Sequence, residues 1–476
     1  MSRRATKIVA TLGPASSDPQ LLEQMIRAGV NVVRLNFSHG KAQDHIDRAQ
    51  LVREAAKRAG REVGIMADLQ GPKIRVGKFA EGKVFLESGQ SFVMDAGRVE
   101  LGDVQGVGLD YKTLPQEVKV GDVLLLNDGL IVITVDAVRG SAIHTTVKIG
   151  GELSNNKGIN KQGGGLSAPA LTAKDMDDIR TAMAFKADYV AVSFPKNATD
   201  MEMARQLCNV AADGGHKPGL IAKIERAEAI PHLEEILLAS DGIMVARGDL
   251  AVEVGNAVVP ALQKRMIKLA REHDRIVITA TQMMESMITN PVPTRAEVSD
   301  VANAVLDGTD AVMLSAETAA GKYPLETVIE MAKICHAAEG GETFKLEADF
   351  TGKVFTKIAY AVSMGALFTA HHLGAKAIVA LTESGSSARW MSRHLILVPI
   401  YAMTSNIATQ RKMTLYRNVR PLLIDASMDR DTALAQAERD LKALKIVSSG
   451  DVYVITCGEP MGAPGGANML KICQVE

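Results

Sequence analysis

Two rhythms of apolar and polar residues alternate along the chain, and the change between them divides it. In residues 1–70 and 167–335, short Val/Ile/Ala-rich runs end in charged or hydroxyl residues, and each is followed by a segment with helical spacing of apolar positions. That is the mark of repeated strand–helix units. The runs are Lys7–Leu12, Asn31–Asn36, Val63–Asp68, Tyr189–Ser193, Leu220–Ile224, Gly242–Ala246, Ile276–Thr279 and Ala311–Leu314. Continuous apolar runs suit a parallel sheet covered on both faces, and closing the sheet removes its edges. The expected fold is α/β, a (β/α)8 TIM barrel built from residues 1–71 and 167–345.

Residues 72–166 break this rhythm with short alternating segments, among them Lys83–Leu86, Ser91–Met94, Val123–Leu126, Leu130–Val135 and Ala142–Val147. Gly and Asp punctuate them, and the stretch closes on Gly163-Gly164-Gly165. This predicts an inserted antiparallel β-barrel lid domain hung on glycine hinges. From residue 346 the strand–helix alternation resumes with Ala377–Leu381, Pro399–Ala402, Pro421–Ile424, Val452–Thr456 and Leu470–Val475. The barrel's eight strands are already used, so residues 346–476 are expected to form a C-terminal α/β domain.

Composition narrows the setting. In 476 residues, 54 Lys and Arg stand against 55 Asp and Glu, so no global field steers the chain toward nucleic acid or acidic membranes. Cys208, Cys335, Cys457 and Cys473 form no C-x-x-C pair, and they read as buried thiols in a reducing compartment. The segment Met1–Ala10 lacks the apolar stretch of a secretory signal, and no run of ~18 apolar residues occurs. A cytoplasmic protein with neither nucleic acid nor membrane as partner is expected.

Chemistry in such a barrel sits at the C-terminal ends of the strands. The residues there are Arg34, Asn36, Ser38, Asp68, Lys223, Glu225, Arg247, Asp249, Thr281, Gln282, Ser315 and Glu317. Alternate residues of a strand share a face, so Lys223 and Glu225 in Ala222-Lys223-Ile224-Glu225-Arg226 both point into the mouth. On spacing alone they suit a divalent metal with an anionic ligand and an ion pair plugging a barrel layer equally well. Asp249, delivered by the adjacent run, adds a second carboxylate and shifts the balance toward Mg²⁺ or Mn²⁺, which take one or two carboxylates and complete their shell with water and substrate oxygens. Helix capping is the competing role for Asp249 alone. Arg34 offers a fork suited to phosphate; Arg75 alone is as well explained as a surface charge, and His39 as a hydrogen-bonded loop residue. No G-x-x-x-x-G-K-[ST], H-x-D catalytic loop or G-x-S-x-G occurs.

Thr6-Lys7-Ile8-Val9, Arg34-Leu35-Asn36-Phe37-Ser38-His39-Gly40, the Lys223/Glu225 stretch, Val245-Ala246-Arg247-Gly248-Asp249-Leu250 and Thr279-Ala280-Thr281-Gln282-Met283 together resemble the pyruvate kinase family. Pro293-Thr294-Arg295-Ala296-Glu297 and Asp300-Val301-Ala302-Asn303-Ala304-Val305 extend the likeness. The resemblance implies phosphoryl transfer between phosphoenolpyruvate and ADP, giving pyruvate and ATP at the end of glycolysis, by a homotetramer under allosteric control. It implies that Glu225 and Asp249 hold Mg²⁺ (or Mn²⁺), that Lys223 stabilises charge on the transferring group and the enolate, and that Arg34 clamps phosphate. Gly248 and Asp249 would meet the substrate carboxylate, Thr281 would stand where the enolate is protonated, and Asn36, Arg75 and Lys157 would face the nucleotide phosphates.

The family's monovalent-cation position corresponds to Asn36, Ser38, Asp68 and the carbonyl of Leu69. Beside it this chain has Lys73 where a Glu is usual, as in one bacterial type, so K⁺ is expected not to be required. Ala251 and Ala316 replace family glycines. In the C-terminal domain Thr382, Ser384, Gly385, Ser386 and Ser387 aim hydroxyls and N–H groups at one spot. An ordinary capped turn is the alternative by geometry alone, whereas the resemblance makes the spot an effector phosphate site for a monophosphorylated sugar, closed by the loop Gly458–Gly466. The rival functions are a metal-dependent barrel aldolase or lyase acting on a 2-oxo acid, which would need no lid carrying Arg75 and Lys157, and a non-catalytic metabolite sensor.

Overall fold

Eight parallel strands close into a barrel in the computed structural model, which describes residues 4–212, 215–340, 354–425, 429–462 and 466–476. They are β1 (Lys7–Thr11), β2 (Val32–Asn36), β3 (Gly64–Asp68), β4 (Tyr189–Val192), β5 (Gly219–Ile224), β6 (Gly242–Ala246), β7 (Ile276–Ala280) and β8 (Ala311–Leu314), each paired with its neighbours in sequence and β8 with β1. Every run read from the sequence is one of these strands, with ends differing by a residue, because each apolar run is cut off by a polar residue or a glycine.

The pleat sorts the strand residues into two cores. Ile8, Ala10, Val33, Leu35, Ile65, Ala67, Val190, Ala222, Ile224 and Val245 pack outward against the helices. Val9, Val32, Met66, Tyr189, Ala191, Ile221, Met244 and Ile278 fill the interior. Continuing the inner rows one step toward the C-terminal ends brings Thr11, Arg34, Asn36, Asp68, Lys223 and Glu225 into the mouth.

Between β3 and β4 the chain forms a two-stranded sheet, Lys83–Leu86 with Gly151–Ser154, and a six-stranded one running Ile159–Lys161, Val123–Leu126, Ile131–Arg139, Ala142–Ile149, Ser91–Asp95, Gly106–Gly108. Its own core contains Phe92, Met94, Leu124, Ile133 and Ile143. Pairing is antiparallel except that Gly106–Gly108 runs parallel to Ser91–Asp95 at the edge. Gly106–Gly108, Gly151–Ser154 and Ile159–Lys161 escape the sequence reading because three or four residues rich in Gly, Ser and Asn carry no alternation.

A five-stranded sheet follows in the order Val419–Leu423, Ile400–Thr404, Ala377–Leu381, Val452–Gly458, Ala467–Gln474. Pro421 lies on its edge strand, where a missing N–H is tolerated. The expected boundary at residues 345–346 and the glycine Gly465 lie outside the described residues. No helix among those described is long and apolar enough to cross a membrane. Cys208, Cys335 and Cys457 are buried and all four thiols are free.

The floor of the barrel is sealed by charge. Asp310, 1% exposed, accepts from Arg393 Nη1 at 2.7 Å, from Val277 N at 2.9 Å and from Arg417 N at 3.0 Å, and Arg393 Nη2 closes the pair. Removing one partner of a buried pair strands the other charge, at a cost of about 3–5 kcal/mol. Arg393→Met should therefore lower the urea midpoint sharply, and adding Asp310→Asn should recover part of the loss; a variant as stable as the parent would show that the floor does not depend on this pair.

Candidate active site

Asp68 closes β3, in register with Asn36 of β2 and Ala191 of β4, and its side chain is fully buried. Arg34 Nε donates to its Oδ2 at 2.5 Å and Arg34 Nη1 reaches Thr11 Oγ1 at 3.1 Å. On the other side Lys223 Nζ lies 3.1 Å from Asp68 Oδ1 and 3.0 Å from Glu225 Oε1, and donates to Ser193 Oγ at 2.7 Å. Burial alone would push the Asp68 carboxyl up; the Arg34 and Lys223 charges outweigh it and hold it below the usual range. Burial would likewise strip Lys223 of its proton, but Asp68 and Glu225 keep its pKa above the ordinary lysine value. Glu225 goes the other way: burial raises it, Lys223 offsets only part, and the charges of Asp249 and Asp68 raise it further.

Backbone geometry serves the same site. Phe194 sits at φ 57°, which turns its N–H onto Glu225 Oε2 at 3.1 Å. After β7, Thr281 and Gln282 adopt φ 69° and 52°. A β-branched residue in the left-handed region is strained by roughly 1–3 kcal/mol, and such strain persists only where surroundings impose it. Here Arg247 Nη2 holds the Thr281 carbonyl at 2.6 Å, and Thr281 Oγ1 accepts from Gly248 N at 2.9 Å.

Asp249 stands in the first turn of the helix Arg247–Val254, directly after β6. Its Oδ1 accepts from Lys73 Nζ at 3.1 Å, and Asp128 Oδ1 lies 3.5 Å from the same nitrogen. Lys73 is 26% exposed; burial would lower its pKa, yet Asp249 and Asp128 raise it, so it stays charged. The sequence reading put this ammonium beside Asn36, Ser38, Asp68 and Leu69; its hydrogen bond goes instead to Asp249. Three of those groups have partners within the chain: Asn36 Oδ1 accepts from Ser38 N at 3.1 Å, Asp68 is held by Arg34 and Lys223, and the Leu69 carbonyl accepts from Ser193 Oγ at 2.7 Å.

A cleft of about 640 Å³ opens between lid and barrel, lined by Lys73, Asp128 and Gln162 on one side and Gly248, Asp249, Thr281, Gln282 and Glu317 on the other. Ala251 and Ala316 also line it. Arg34, Asp68, Lys223 and Glu225 form the buried network at the inner ends of the strands. Arg75 and Lys157 lie side by side on the lid, where Arg75 pairs with Gly158, Val76 N donates to the Lys157 carbonyl at 2.9 Å and Arg75 Nη1 donates to the Asn156 carbonyl at 3.0 Å; they do not line the cleft. Sequence reasoning missed Ser193 and Asp128. Asp128 had a signal in Asn127-Asp128-Gly129, where all three residues have positive φ.

Glu225 and Asp249 suit a hard divalent cation. Glu225 is destabilised by its like-charged neighbours, which a dication would relieve, and a cation, the Lys73 ammonium, already rests on Asp249. Among the described residues no group of three or more His, Cys, Asp or Glu is placed to hold a metal.

Far from the mouth, a pocket of about 170 Å³ is lined by Thr382, Glu383, Ser387, Ser405, Asp425, Gly458, Gly462 and Gly466, among others. Thr382 Oγ1 accepts from Gly385 N at 3.0 Å, and Ser384 Oγ donates to Ser386 Oγ at 3.1 Å. Thus two of the five predicted phosphate-site residues face the cavity, and the loop from Gly458 does border it.

Comparison with known proteins bears on all of this. Residues 3–328 match the family model for the pyruvate kinase barrel domain and residues 360–473 that for the pyruvate kinase alpha/beta domain. The chain is 51% identical to pyruvate kinase II of Salmonella typhimurium, over the whole of both chains. It is 49% identical to the pyruvate kinase of Haemophilus influenzae, covering 100% of this chain and 99% of the other. A crystal structure of a pyruvate kinase from Cryptosporidium parvum superposes with a TM-score of 0.94 at 33% identity, covering 100% of this chain and 97% of that one.

A metal taking Asp249 Oδ1 competes with the Lys73 ammonium. Lys73→Met should therefore tighten Mn²⁺ binding to the substrate-free protein by roughly fivefold, the equivalent of about 1 kcal/mol for a partly exposed pair. Titration followed by electron paramagnetic resonance reads this directly, and unchanged or weaker binding would refute the competition.

Proposed function

The chain belongs to the pyruvate kinase family and transfers the phosphoryl group of phosphoenolpyruvate to ADP, giving pyruvate and ATP; from that premise we propose how its own residues carry the reaction. The observation that supports the reading most is the inward-facing chain Arg34–Asp68–Lys223–Glu225 beside Asp249. The aldolase or lyase alternative is not supported by the relatives named above.

In this reading a β-phosphate oxygen of ADP attacks phosphorus, the bond from phosphorus to the enol oxygen breaks, and the electron pair stays on that oxygen as an enolate. Mg²⁺ held by Glu225 and Asp249 supplies charge neutralisation and orientation when bound. Lys223, kept protonated by Asp68 and Glu225, places its ammonium where negative charge gathers, at no cost of reorganisation in a site closed to water. Arg34 turns toward the phosphate the guanidinium face that Asp68 does not occupy. The N–H of Asp249, at a helix start, receives the substrate carboxylate, and that of Gly248 joins it on leaving Thr281 Oγ1. Thr281, locked by Arg247, positions the water that delivers a proton to C3 of the enolate, yielding pyruvate. Residues 72–166 act as the lid, and its closure brings Arg75 and Lys157 toward the nucleotide phosphates near Asn36.

Three finer assignments accompany this. The cavity beside Thr382, Ser384, Gly385, Ser386 and Ser387 takes the phosphate of a monophosphorylated sugar as activator. A second copy of the chain covers the helix Ile358–His372, which is apolar on all sides yet leaves Ile358 71% and Phe368 54% exposed, and the neighbouring edge strand Ala467–Gln474; the homotetramer is built partly there, in the cytoplasm. K⁺ is not required, because the Lys73 charge is fixed in the mouth and the Asn36, Asp68 and Leu69 oxygens already have partners.

Lys223→Met tests the central assignment: kcat should fall by about 10² or more with little change in the affinity for phosphoenolpyruvate, the pattern of an interaction made in the transition state. Near-normal kcat would remove Lys223 from the mechanism. For the monovalent cation, activity with Mg²⁺ in tetramethylammonium buffer should be indifferent to KCl at constant ionic strength, whereas Lys73→Glu should acquire K⁺ dependence. Strong K⁺ activation of the parent enzyme would overturn that assignment.

A further inference from the structure

The lid is joined to the barrel by two stretches of chain, and the site described above uses the incoming one, through Lys73. The outgoing one leaves the lid strand Ile159–Lys161, passes Gly163, Gly164 and Gly165, and reaches Leu166. It runs against the helix Arg247–Val254 and the turn Arg226–Ala229 that follows β5, and it is fastened to both. Gly163 N donates to the Glu253 carbonyl at 3.1 Å, Asn160 Nδ2 to Glu253 Oε1 at 3.4 Å, Arg226 Nη1 to the Leu166 carbonyl at 3.3 Å, and Gly165 N to Glu228 Oε1. The approach is close: a Cβ on Gly164, whose φ is 77°, would stand 2.5 Å from Glu228 Oε2.

Glu253 carries the most of this. The residue is 8% exposed, and its second carboxylate oxygen accepts from Ala227 N at 2.9 Å. One side chain thus touches the lid at Asn160 and the turn two residues beyond Glu225, while its backbone belongs to the helix whose first turn carries Asp249. Burying a carboxyl in this way is unfavourable unless its hydrogen bonds are used; burial pushes the Glu253 carboxyl up to about 7, so a neutral form is readily accommodated there.

We propose that Glu253 is a positioning residue for the nucleotide half of the reaction: it fixes the outgoing strap of the lid to the strand and helix that carry Lys223, Glu225 and Asp249. The inference rests on the reading of Arg75 and Lys157 as nucleotide-phosphate contacts. Asn160 lies three residues beyond Lys157 on the same strap, and the pairing of Arg75 with Gly158 ties the incoming strand to it. Releasing Asn160 from Glu253 lets both cations drift from the mouth without disturbing the groups that bind phosphoenolpyruvate.

Steady-state kinetics of the full-length enzyme test this. Glu253→Ala should raise KM for ADP about tenfold or more and lower kcat, with KM for phosphoenolpyruvate and Mn²⁺ affinity of the free enzyme unchanged. Glu253→Gln, which keeps an acceptor for Ala227 N and can donate its Nε2–H to Asn160 Oδ1 once the Asn160 amide turns over, should restore most of the ADP affinity. Gly164→Ala, which drives the strap off Glu228 without altering Glu253, should show the same ADP-selective defect if Glu253→Ala proves too unstable to purify. Equal rises in both KM values, a Gln variant as damaged as the Ala variant, or an unaffected KM for ADP would each overturn the proposal. Lys157→Met in the same assay separates the two layers: a defect in Lys157→Met with a normal Glu253→Ala sinks the positioning role, whereas the reverse sinks only the nucleotide assignment of Lys157.

Discussion

Asp68 has no exposed side-chain surface, and a carboxylate so placed stays ionised only if cations are held against it. Arg34 and Lys223 are those cations, and the requirement is mutual, since neither could be brought to the inner ends of barrel strands without Asp68. The arrangement resolves a conflict in the fold. Strand interiors must be apolar to close the barrel, yet the proposed chemistry needs protonated Lys and Arg at its rim. Placing one anion between two cations, on three strands fixed in register, lets charges sit where the pleat would otherwise place methyl groups. With Glu225 the two cations and two anions balance, and Glu225, destabilised by its acidic neighbours, remains disposed toward a further cation.

The helix Arg247–Val254 is the second point on which much converges. Its start presents Gly248 and Asp249 to the cleft, Arg247 locks Thr281 in a strained conformation and pairs with Asp300 at 2.7 Å, and its end meets the outgoing strap of the lid. Lys73 reaches the same helix from the incoming strand. An inserted domain tethered at both of its crossings to one short helix is bonded directly to the element that carries the proposed metal and substrate residues. Opening and site geometry are therefore coupled by ordinary hydrogen bonds rather than by distance-spanning pathways.

Much of the fold was legible because its signals are local. Each barrel run stops after four to six residues, and the polar residue at the stop, as with Asp68 or Asn36, is also the one that faces the mouth. Period two carries both facts at once. The lid's short strands were lost for the opposite reason, since Gly106–Gly108 and Ile159–Lys161 are held by partners, not by pattern. Lys73 was identified as unusual but its partner was not, because Asp249 lies 176 positions away and nothing in the local sequence points there. Ser193 was read as the end of a strand; its role in bridging Lys223 to the Leu69 carbonyl exists only in the closed sheet.

The two ends of the barrel show how the same physics serves different ends. At the floor, Asp310 and Arg393 are nearly sealed from water, and each unites the barrel with the C-terminal domain through bonds to backbone groups as well as to each other. Every lone pair there is directed at a group of the chain, so no ligand is invited. At the mouth, Arg34 and Asp249 remain 12% and 22% exposed, and Lys73 sits on Asp249 through a single hydrogen bond, an arrangement a stronger cation can displace. The difference between a structural and a functional cluster of charges thus lies not in the residue types, which are alike, but in whether the pairing is complete. A barrel whose floor is satisfied and whose rim is only partly so can hold its shape while exchanging ligands at one end.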